Sequence, residues 1–181
     1  MLFCLAGTSL FAQDPGSLSK KEQKQLLKED RRARANQEAE LKAVFVDSTL
    51  NSRSFALEAD MLYDKYGQSI PVQSNINFIL VDSVYGVLQV GDPFRMGGNG
   101  LGGVTYEGSV NSYNFEKDTK RNNYIISYTL ISSFGSFDVN INVLSNGRAE
   151  ATVRGAFSGS IRYAGRIVGL ANTRVFKGMS Y

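Results

Sequence analysis

The stretch that decides the fold runs from Tyr124 to Arg154 and reads YIISYTLISSFGSFDVNINVLSNGRAEATVR. Its central part alternates strictly between apolar and polar side chains: Phe137, Asp138, Val139, Asn140, Ile141, Asn142 and Val143. This period of two is typical of a β-strand with one buried and one solvated face. The connection Ser145-Asn146-Gly147 predicts a hairpin with a type I′ turn, because Asn and Gly accept positive φ angles. We therefore expect antiparallel strands joined by tight turns.

The same alternation extends upstream to Arg53 and downstream to Val175. In the first predicted strand, the apolar face consists of Phe55, Leu57, Ala59 and Met61. The next apolar face consists of Ile76, Phe78 and Leu80. We expect about eight or nine strands, the number and spacing of an antiparallel sandwich or a flattened barrel. The predicted class is all-β with an N-terminal α-helix.

The helix prediction rests on the segment from Leu18 to about Phe45. This segment contains no Gly and no Pro, and it is rich in the strong helix formers Ala, Leu, Gln, Glu and Lys. Ser19 and Glu22 have the spacing of a capping box. Apolar residues are sparse before Ala39, so we expect only the last turns to pack against other elements. We divide the chain into a charged helix over residues 13–46 and a single β-rich domain over residues 47–181.

The first twelve residues resemble the end of an export signal. An apolar run ends at Ala12, polar Gln13 and Asp14 follow, and no Lys or Arg precedes the run. Because signal peptides combine a charged start, an apolar run and a small residue at the cleavage site, we interpret residues 1–12 as a truncated signal peptide. We expect an exported protein of the periplasm or cell envelope, with no transmembrane span in the mature chain. Lipidation at Cys4 is not expected, since no small residue directly precedes it.

The composition excludes several classes of function. The 181 residues include no His, no Trp and one Cys. Without His, the chain cannot build a Ser-His-Asp or Cys-His nucleophile or an imidazole metal site, so we expect no metal and no cofactor. The formal net charge of +3 is spread thinly. Acids interrupt the densest basic cluster, residues 28–34, and no aromatic residues interleave with it, so we expect no nucleic-acid partner.

A glycine-rich segment from Gly98 to Gly103 matches the pattern G-x-G-x-x-G. A dinucleotide loop of this pattern opens a helix, whereas residues 104–108 predict a strand, so we do not expect nucleotide binding. We expect a loop with positive φ angles and close backbone approach. Because its glycines leave backbone amides available beside side chains of mixed chemistry, the loop is our candidate ligand-binding segment. The candidate residues are Phe94, Arg95, Met96, Asn99, Gly100, Gly102 and Gly103.

Pairs of carboxylates offer the remaining route to catalysis, because two acids suffice for glycoside hydrolysis. The acids along the predicted strands are Glu58, Asp60, Glu107, Glu116, Asp138 and Glu150. Acids in an alternating strand normally face water, so we assign no catalytic residue and favour a non-catalytic binding or interaction module. Its partner would be an envelope protein or a small ligand. Two alternatives stay open: a carboxylate-dependent glycan hydrolase, which predicts two acids in one cleft, and a structural module that oligomerises through the helix.

Several short motifs carry a family resemblance. They are Pro71-Val72, Asn77-Phe78-Ile79, Val81-Asp82, Gln89, the run from Asn99 to Thr105, Glu107-Gly108, and Val175-Phe176-Lys177-Gly178. In their order and spacing over residues 25–181, they resemble the domain of unknown function 4251 family. That family consists of exported proteins, mostly from Bacteroidetes, so the resemblance implies an envelope location and a β-rich fold after an N-terminal helix. It implies no activity, and it marks the loop at residues 99–105 only as a signature.

Overall fold

The computed structural model describes residues 19–92, 99–121, 123–155 and 159–180. The chain divides into two compact units, one with the residues up to Glu38 and the other with Ala39–Tyr181. Helix α1 (Lys20–Asn51) contributes to both units. The strands lie in the second unit and are β1 (Ser54–Tyr63), β2 (Ser69–Pro71), β3 (Phe78–Asp82), β4 (Tyr85–Val90), β5 (Val104–Asp118), β6 (Asn123–Ser132), β7 (Gly135–Leu144), β8 (Arg148–Arg154) and β9 (Ser160–Gly169).

The strands form one antiparallel sheet that closes into a barrel. Its order is β2-β1-β3-β4-β5-β6-β7-β8-β9, and β1 also pairs with β9 from Phe55–Gly169 to Tyr63–Arg162. Eight strands therefore make the closed wall, and β2 adds a short extra strand beside residues 61–63 of β1. This confirms the predicted all-β class with an N-terminal helix, and it decides for a barrel over a sandwich. Closure removes the unpaired edges that an open sheet exposes.

The barrel interior follows the predicted alternation in β6, β7 and β8. In β7, the side chains of Phe137, Val139, Ile141 and Val143 point inward and are fully buried, whereas the polar residues between them are exposed. An eight-stranded barrel is just wide enough for side chains to fill. The interior is accordingly packed, and several of its largest residues are aromatic: Phe55, Phe137, Tyr124, Tyr128 and Tyr163.

The wall formed by β1, β3 and β4 departs from simple alternation, because residues on both of its faces are buried. Ile79 and Val81 fill the interior positions of β3, whereas Phe78 is buried on the outer face. The prediction that Phe78 shares the apolar core face was therefore wrong.

The first strand also differs from its prediction. A β-bulge between Ala59 and Met61 shifts the register of β1 against β9. Because one extra residue moves every following side chain to the other face, Leu62 is buried in the core in place of Met61.

The hairpin between β7 and β8 forms where it was predicted, but its turn type differs. The amide of Gly147 donates to the carbonyl of Leu144 at 2.9 Å, and Gly147 has a φ of 83°. Asn146 is not among the residues with positive φ, as a type I′ turn would require. The loop is therefore a three-residue connection with glycine in the left-handed region, which produces the right-handed twist of a G1 bulge.

Helix α1 begins with the predicted capping box. The amide of Ser19 donates to Glu22 Oε2 at 2.8 Å, and the amide of Glu22 donates to Ser19 Oγ at 3.3 Å. The helix ends at Asn51, beyond the predicted boundary near residue 46. Its buried residues are Val46, Thr49 and Leu50, so burial is confined to the last turns, as expected. Within the described part of the chain, we find no helix with the length and apolarity that crossing a bilayer requires.

Candidate functional site

The C-terminal end of the chain runs along the outside of the barrel and bonds to side chains of β1, β4 and β5. After β9, a single 3₁₀ turn (Leu170–Asn172) leads into residues 173–180, which adopt no regular element. We call residues 173–180 the C-terminal strap. The residues buried on the outer face outside the main core include Ala56, Phe78, Val87 and Gln89. The strap is hydrogen-bonded to this part of the wall, in which residues on both faces are buried.

Gln89 of β4 links the strap to the barrel. Its side chain is fully buried, and its Nε2 donates to the carbonyls of Ile76 and Phe176 at 3.1 and 2.9 Å. Its Oε1 accepts from the amide of Gly178 at 2.8 Å and from Thr105 Oγ1 at 2.9 Å. All four hydrogen-bonding positions of the amide are therefore used.

Asn99 fixes the glycine-rich loop in the same way. Its Nδ2 donates to the carbonyl of Val90 and to Thr105 Oγ1, both at 3.1 Å. Its Oδ1 accepts from the amides of Leu101 and Gly103 at 2.9 and 3.0 Å. The Asn99 side chain is almost completely buried, so these bonds replace those it would make with water. Asn99 thereby acts as the internal clamp of the loop.

Asn77 completes a buried polar cluster, which we define as Asn77, Gln89, Asn99 and Thr105. The Nδ2 of Asn77 donates to the carbonyls of Gln73 and Gly91, and its Oδ1 accepts from the amide of Gly91, each at 3.0 Å. The cluster ties together the segment before β3, the strands β4 and β5, the glycine-rich loop and the strap. Since a buried polar group without partners is costly, this complete pairing makes the cluster a fixed part of the fold.

An ionic group holds the far end of the strap. Lys177 Nζ lies 2.5 Å from Glu107 Oε2 and donates to Tyr85 Oη at 3.3 Å, and Tyr85 and Ser180 both donate to Glu107. The hydrogen bond from Lys177, followed by those from Ser180 and Tyr85, lowers the pKa of Glu107 to about 2. Desolvation, together with the bond to Glu107, raises the pKa of Tyr85. Glu107 is thus held as a carboxylate.

The strap presents apolar side chains to solvent. Phe176 is 62% exposed and Met179 is 68% exposed, although the backbones of both residues are hydrogen-bonded to the barrel. Met179 Cε lies 3.5 Å from the position that a Cβ would take on Gly100. We define the strap face as Tyr85, Gly100, Phe176, Lys177 and Met179. It combines aromatic, apolar and cationic groups on a fixed backbone.

The predicted site residues fall into two groups. Asn99 and Gly100 lie against the strap, since the amide of Met179 donates to the carbonyl of Asn99 and Met179 Cε lies near Gly100. Gly102 and Gly103 belong to the same loop, and Gly100 and Gly102 have the expected positive φ angles, 74° and 76°. Phe94, Arg95 and Met96 lie outside the described residues.

Two close backbone contacts fix the base of the glycine-rich loop. The amide of Asp92 donates to the carbonyl of Leu101 at 2.7 Å. A Cβ on Gly103 would lie 2.0 Å from the carbonyl oxygen of Val90, so only glycine permits this backbone approach.

Sequence reasoning missed how Gln89, Glu107 and Lys177 work together. Gln89 did carry a signal, because a polar residue interrupts the apolar run Val87-Leu88-Gln89-Val90. The pairing of Glu107 with Lys177 left no signal, since the two residues are 70 positions apart.

The acids considered for hydrolysis have separate roles on the outer wall. Glu58 accepts from Thr173 Oγ1 at 2.7 Å, Asp60 pairs with Arg148 at 2.5 Å, and Asp138 accepts from Thr129 Oγ1 at 3.0 Å. Glu107, as shown above, is held ionised, whereas a general acid needs a raised pKa. No group of three or more His, Cys, Asp or Glu residues that suits a metal occurs within the described ranges.

The sequence matches a known protein family. Residues 37–167 match the family described as domain of unknown function (DUF4251). The chain belongs to the DUF4251 family. Motif residues Asn77, Gln89, Asn99 and Thr105 of this DUF4251 chain form the buried polar cluster. The motif at residues 175–178 lies outside the matched range, although the cluster binds it directly.

The structure is similar to a crystal structure of a DUF4251 family protein from Bacteroides eggerthii. The two share 28% sequence identity with a TM-score of 0.64, over 78% of this chain and 96% of that chain. No curated protein matches the sequence. The family and its fold are thereby defined, and the family description names no function.

Proposed function

We propose that this DUF4251 protein is an exported, non-catalytic binding module of the cell envelope, and that it contacts its partner through the strap face. The observation that carries the proposal is the display of Phe176 and Met179. Their backbone amides are fixed by bonds to the carbonyls of Asn75 and Asn99, at 2.7 and 3.0 Å, while both side chains stay exposed.

A rigid backbone beneath exposed apolar groups favours binding. A backbone that is already fixed loses little conformational freedom when a partner covers its side chains, and large apolar anchors supply most of the free energy at interfaces. Phe94, Arg95 and Met96 stay predicted contacts from the sequence, in which they stand between Asp92 and Asn99. The export proposal rests on the apolar run that ends at Ala12.

The first test compares two double variants in native mass spectrometry of the chain purified from the periplasm of its own host. One variant carries Phe176→Ser and Met179→Ser. The control carries Ile125→Ser and Leu144→Ser, two exposed apolar residues on the outer face of β6 and β7. We expect a bound mass on the wild type and on the control but not on the strap-face variant. Equal retention by both variants would contradict the proposal.

A second set of variants tests the predicted contacts of the segment before the glycine-rich loop. Phe94→Ala, Arg95→Ala and Met96→Ala together should reduce the amount of the same bound mass, because the loop is predicted to contribute contacts.

Export is tested by sequencing the mature N-terminus, which should begin at Gln13, since cleavage is expected after Ala12. An uncleaved chain recovered from the cytoplasm would refute export.

A further inference from the structure

The barrel holds the C-terminal strap as a receptor holds a peptide. The strap joins no β-ladder, yet five of the backbone groups between Arg174 and Met179 are hydrogen-bonded. The bonds run from Arg174 N to Glu58 Oε1 (3.2 Å), from Phe176 N to Asn75 O (2.7 Å), from Gln89 Nε2 to Phe176 O (2.9 Å), from Gly178 N to Gln89 Oε1 (2.8 Å) and from Met179 N to Asn99 O (3.0 Å).

The amide of Gln89 is the centre of this recognition. It accepts from one backbone amide and donates to the carbonyl two residues earlier, so it occupies the place that a neighbouring strand would take. Main-chain hydrogen bonds of this kind supply affinity in many peptide-binding proteins, while pockets for selected side chains supply specificity.

The specificity of this site depends on small and polar residues. A Cβ on Gly178 would lie 2.6 Å from the carbonyl oxygen of Asn99, so a larger residue would displace the strap. Thr173 Oγ1 donates to Glu58 at 2.7 Å, and Lys177 binds Glu107. The large side chain of Phe176, in contrast, is mostly exposed and contributes little to this contact.

We propose that the outer face of β1, β4 and β5 is a recognition site for an extended peptide, filled by residues 173–180, and that a second copy of the chain exchanges the same segment. A second copy carries the same segment, with Thr173, Lys177 and Gly178 at the spacing that this site binds. The strap is joined to β9 only by the short 3₁₀ turn Leu170–Asn172, which has no buried residue. Exchange of an identical element across such a hinge is a low-cost route to a dimer.

The test uses the full chain with a protease site inserted between Asn172 and Thr173. After cleavage, a fluorescent synthetic peptide of residues 173–180 is added, and its uptake is followed by anisotropy. We expect saturable exchange at one peptide per chain. An unlabelled peptide with Phe176→Ala should compete nearly as well as the parent. A peptide with Gly178→Ala should compete at least about tenfold more weakly, because its methyl group clashes with Asn99.

Two results would overturn peptide recognition. One is a folded, cleaved barrel that releases its strap and takes up no peptide, and the other is equal competition by the two variant peptides. If cleavage unfolds the barrel, hydrogen exchange of the uncut Gly178→Ala chain replaces the assay. Amide protection should then fall at Phe176 and Met179 and stay unchanged in β6–β8, and unchanged protection at Phe176 and Met179 would overturn the proposal.

A separate experiment tests whether two copies of the chain exchange their straps. Two full-length chains with different tags are incubated together at high concentration and examined by native mass spectrometry. Mixed dimers that excess free peptide dissociates would support strap exchange. Their absence would overturn that step. None of these assays uses the envelope partner, so their outcome is independent of the binding function proposed above.

Discussion

The two buried regions of this protein are stabilised by different means. The barrel interior is lined by apolar and aromatic side chains, and among the described residues two of its phenol oxygens, those of Tyr113 and Tyr128, are buried without a hydrogen-bond partner. The outer region under the strap buries Gln89 and Asn99 with every side-chain position paired. The interior therefore derives its stability from hydrophobic burial, whereas the outer region holds the strap through satisfied polar groups.

The largest effect should come from opening a cavity in the interior. Phe137→Ala removes a fully buried ring and should lower the free energy of unfolding by about 3–5 kcal/mol, as measured by chemical denaturation. The exposed Ile125→Ala serves as the control and should change stability by less than about 0.5 kcal/mol. A small effect of Phe137→Ala would show that the interior is not the main source of stability.

The second largest loss of stability is expected in the outer region, and it should loosen the strap without loosening β6–β8. Gln89→Leu keeps the volume but removes the partner of the Ile76 and Phe176 carbonyls, the Gly178 amide and the Thr105 hydroxyl, which should cost at least about 1–3 kcal/mol. Hydrogen exchange should then rise in the strap but not in β6–β8. The exposed Gln68→Leu is the matched control. Uniform loss of protection would mean that the two regions are one cooperative unit.

A smaller effect should follow from pH. The pKa of Glu107 is about 2 in the folded chain, below its ordinary value of 4.5. A lowered folded pKa contributes stability above pH 4.5 that is lost as the pH falls from about 4.5 toward 2. Because the ion pair is partly exposed, its contribution should be about 1 kcal/mol or less. Glu107→Gln should flatten this part of the stability profile, and an unchanged slope would contradict the assignment.

The smallest expected change in the free energy of unfolding should differ in sign between a tyrosine hydroxyl without a partner and one with a partner. Tyr128→Phe removes an unpaired buried hydroxyl and should stabilise the chain by about 1 kcal/mol or less. Tyr163→Phe is the matched control, because its hydroxyl donates to the carbonyl of Gln89 at 3.3 Å; its loss should cost about 0.5–1.5 kcal/mol. Thermal unfolding of both variants would measure the difference. Destabilisation by Tyr128→Phe would indicate a hydrogen bond at that hydroxyl.

Prediction from sequence succeeded where neighbouring residues decide the structure. The inward face of β7 was read correctly from Phe137 to Val143, as was the capping box of Ser19 and Glu22. It failed at Phe78, which is buried on the outer face that alternation assigns to water. It also failed at Met61, where a bulge shifts the register without an obvious sequence signal.

The candidate site was only partly predictable. The glycine-rich loop was singled out, and the positive φ angles of Gly100 and Gly102 agree with that interpretation. The role of Asn99 was not, because hydrogen bonds to Val90 and Thr105 depend on how the loop folds back onto β4. Glu107 was weighed as a solvent-facing acid, whereas it anchors Lys177 of the strap.

The sequence by itself determined the class of fold: a capped polar helix followed by antiparallel strands joined by tight turns. These features follow from local preferences, in which side-chain periodicity and turn chemistry act over a few residues. Only the tertiary structure decided that β1 pairs with β9 to close the barrel, and that Gln89 meets Gly178 across 89 positions of the chain. Such contacts form when distant segments return to the same place, and the interactions that reward them are absent from any short stretch of sequence.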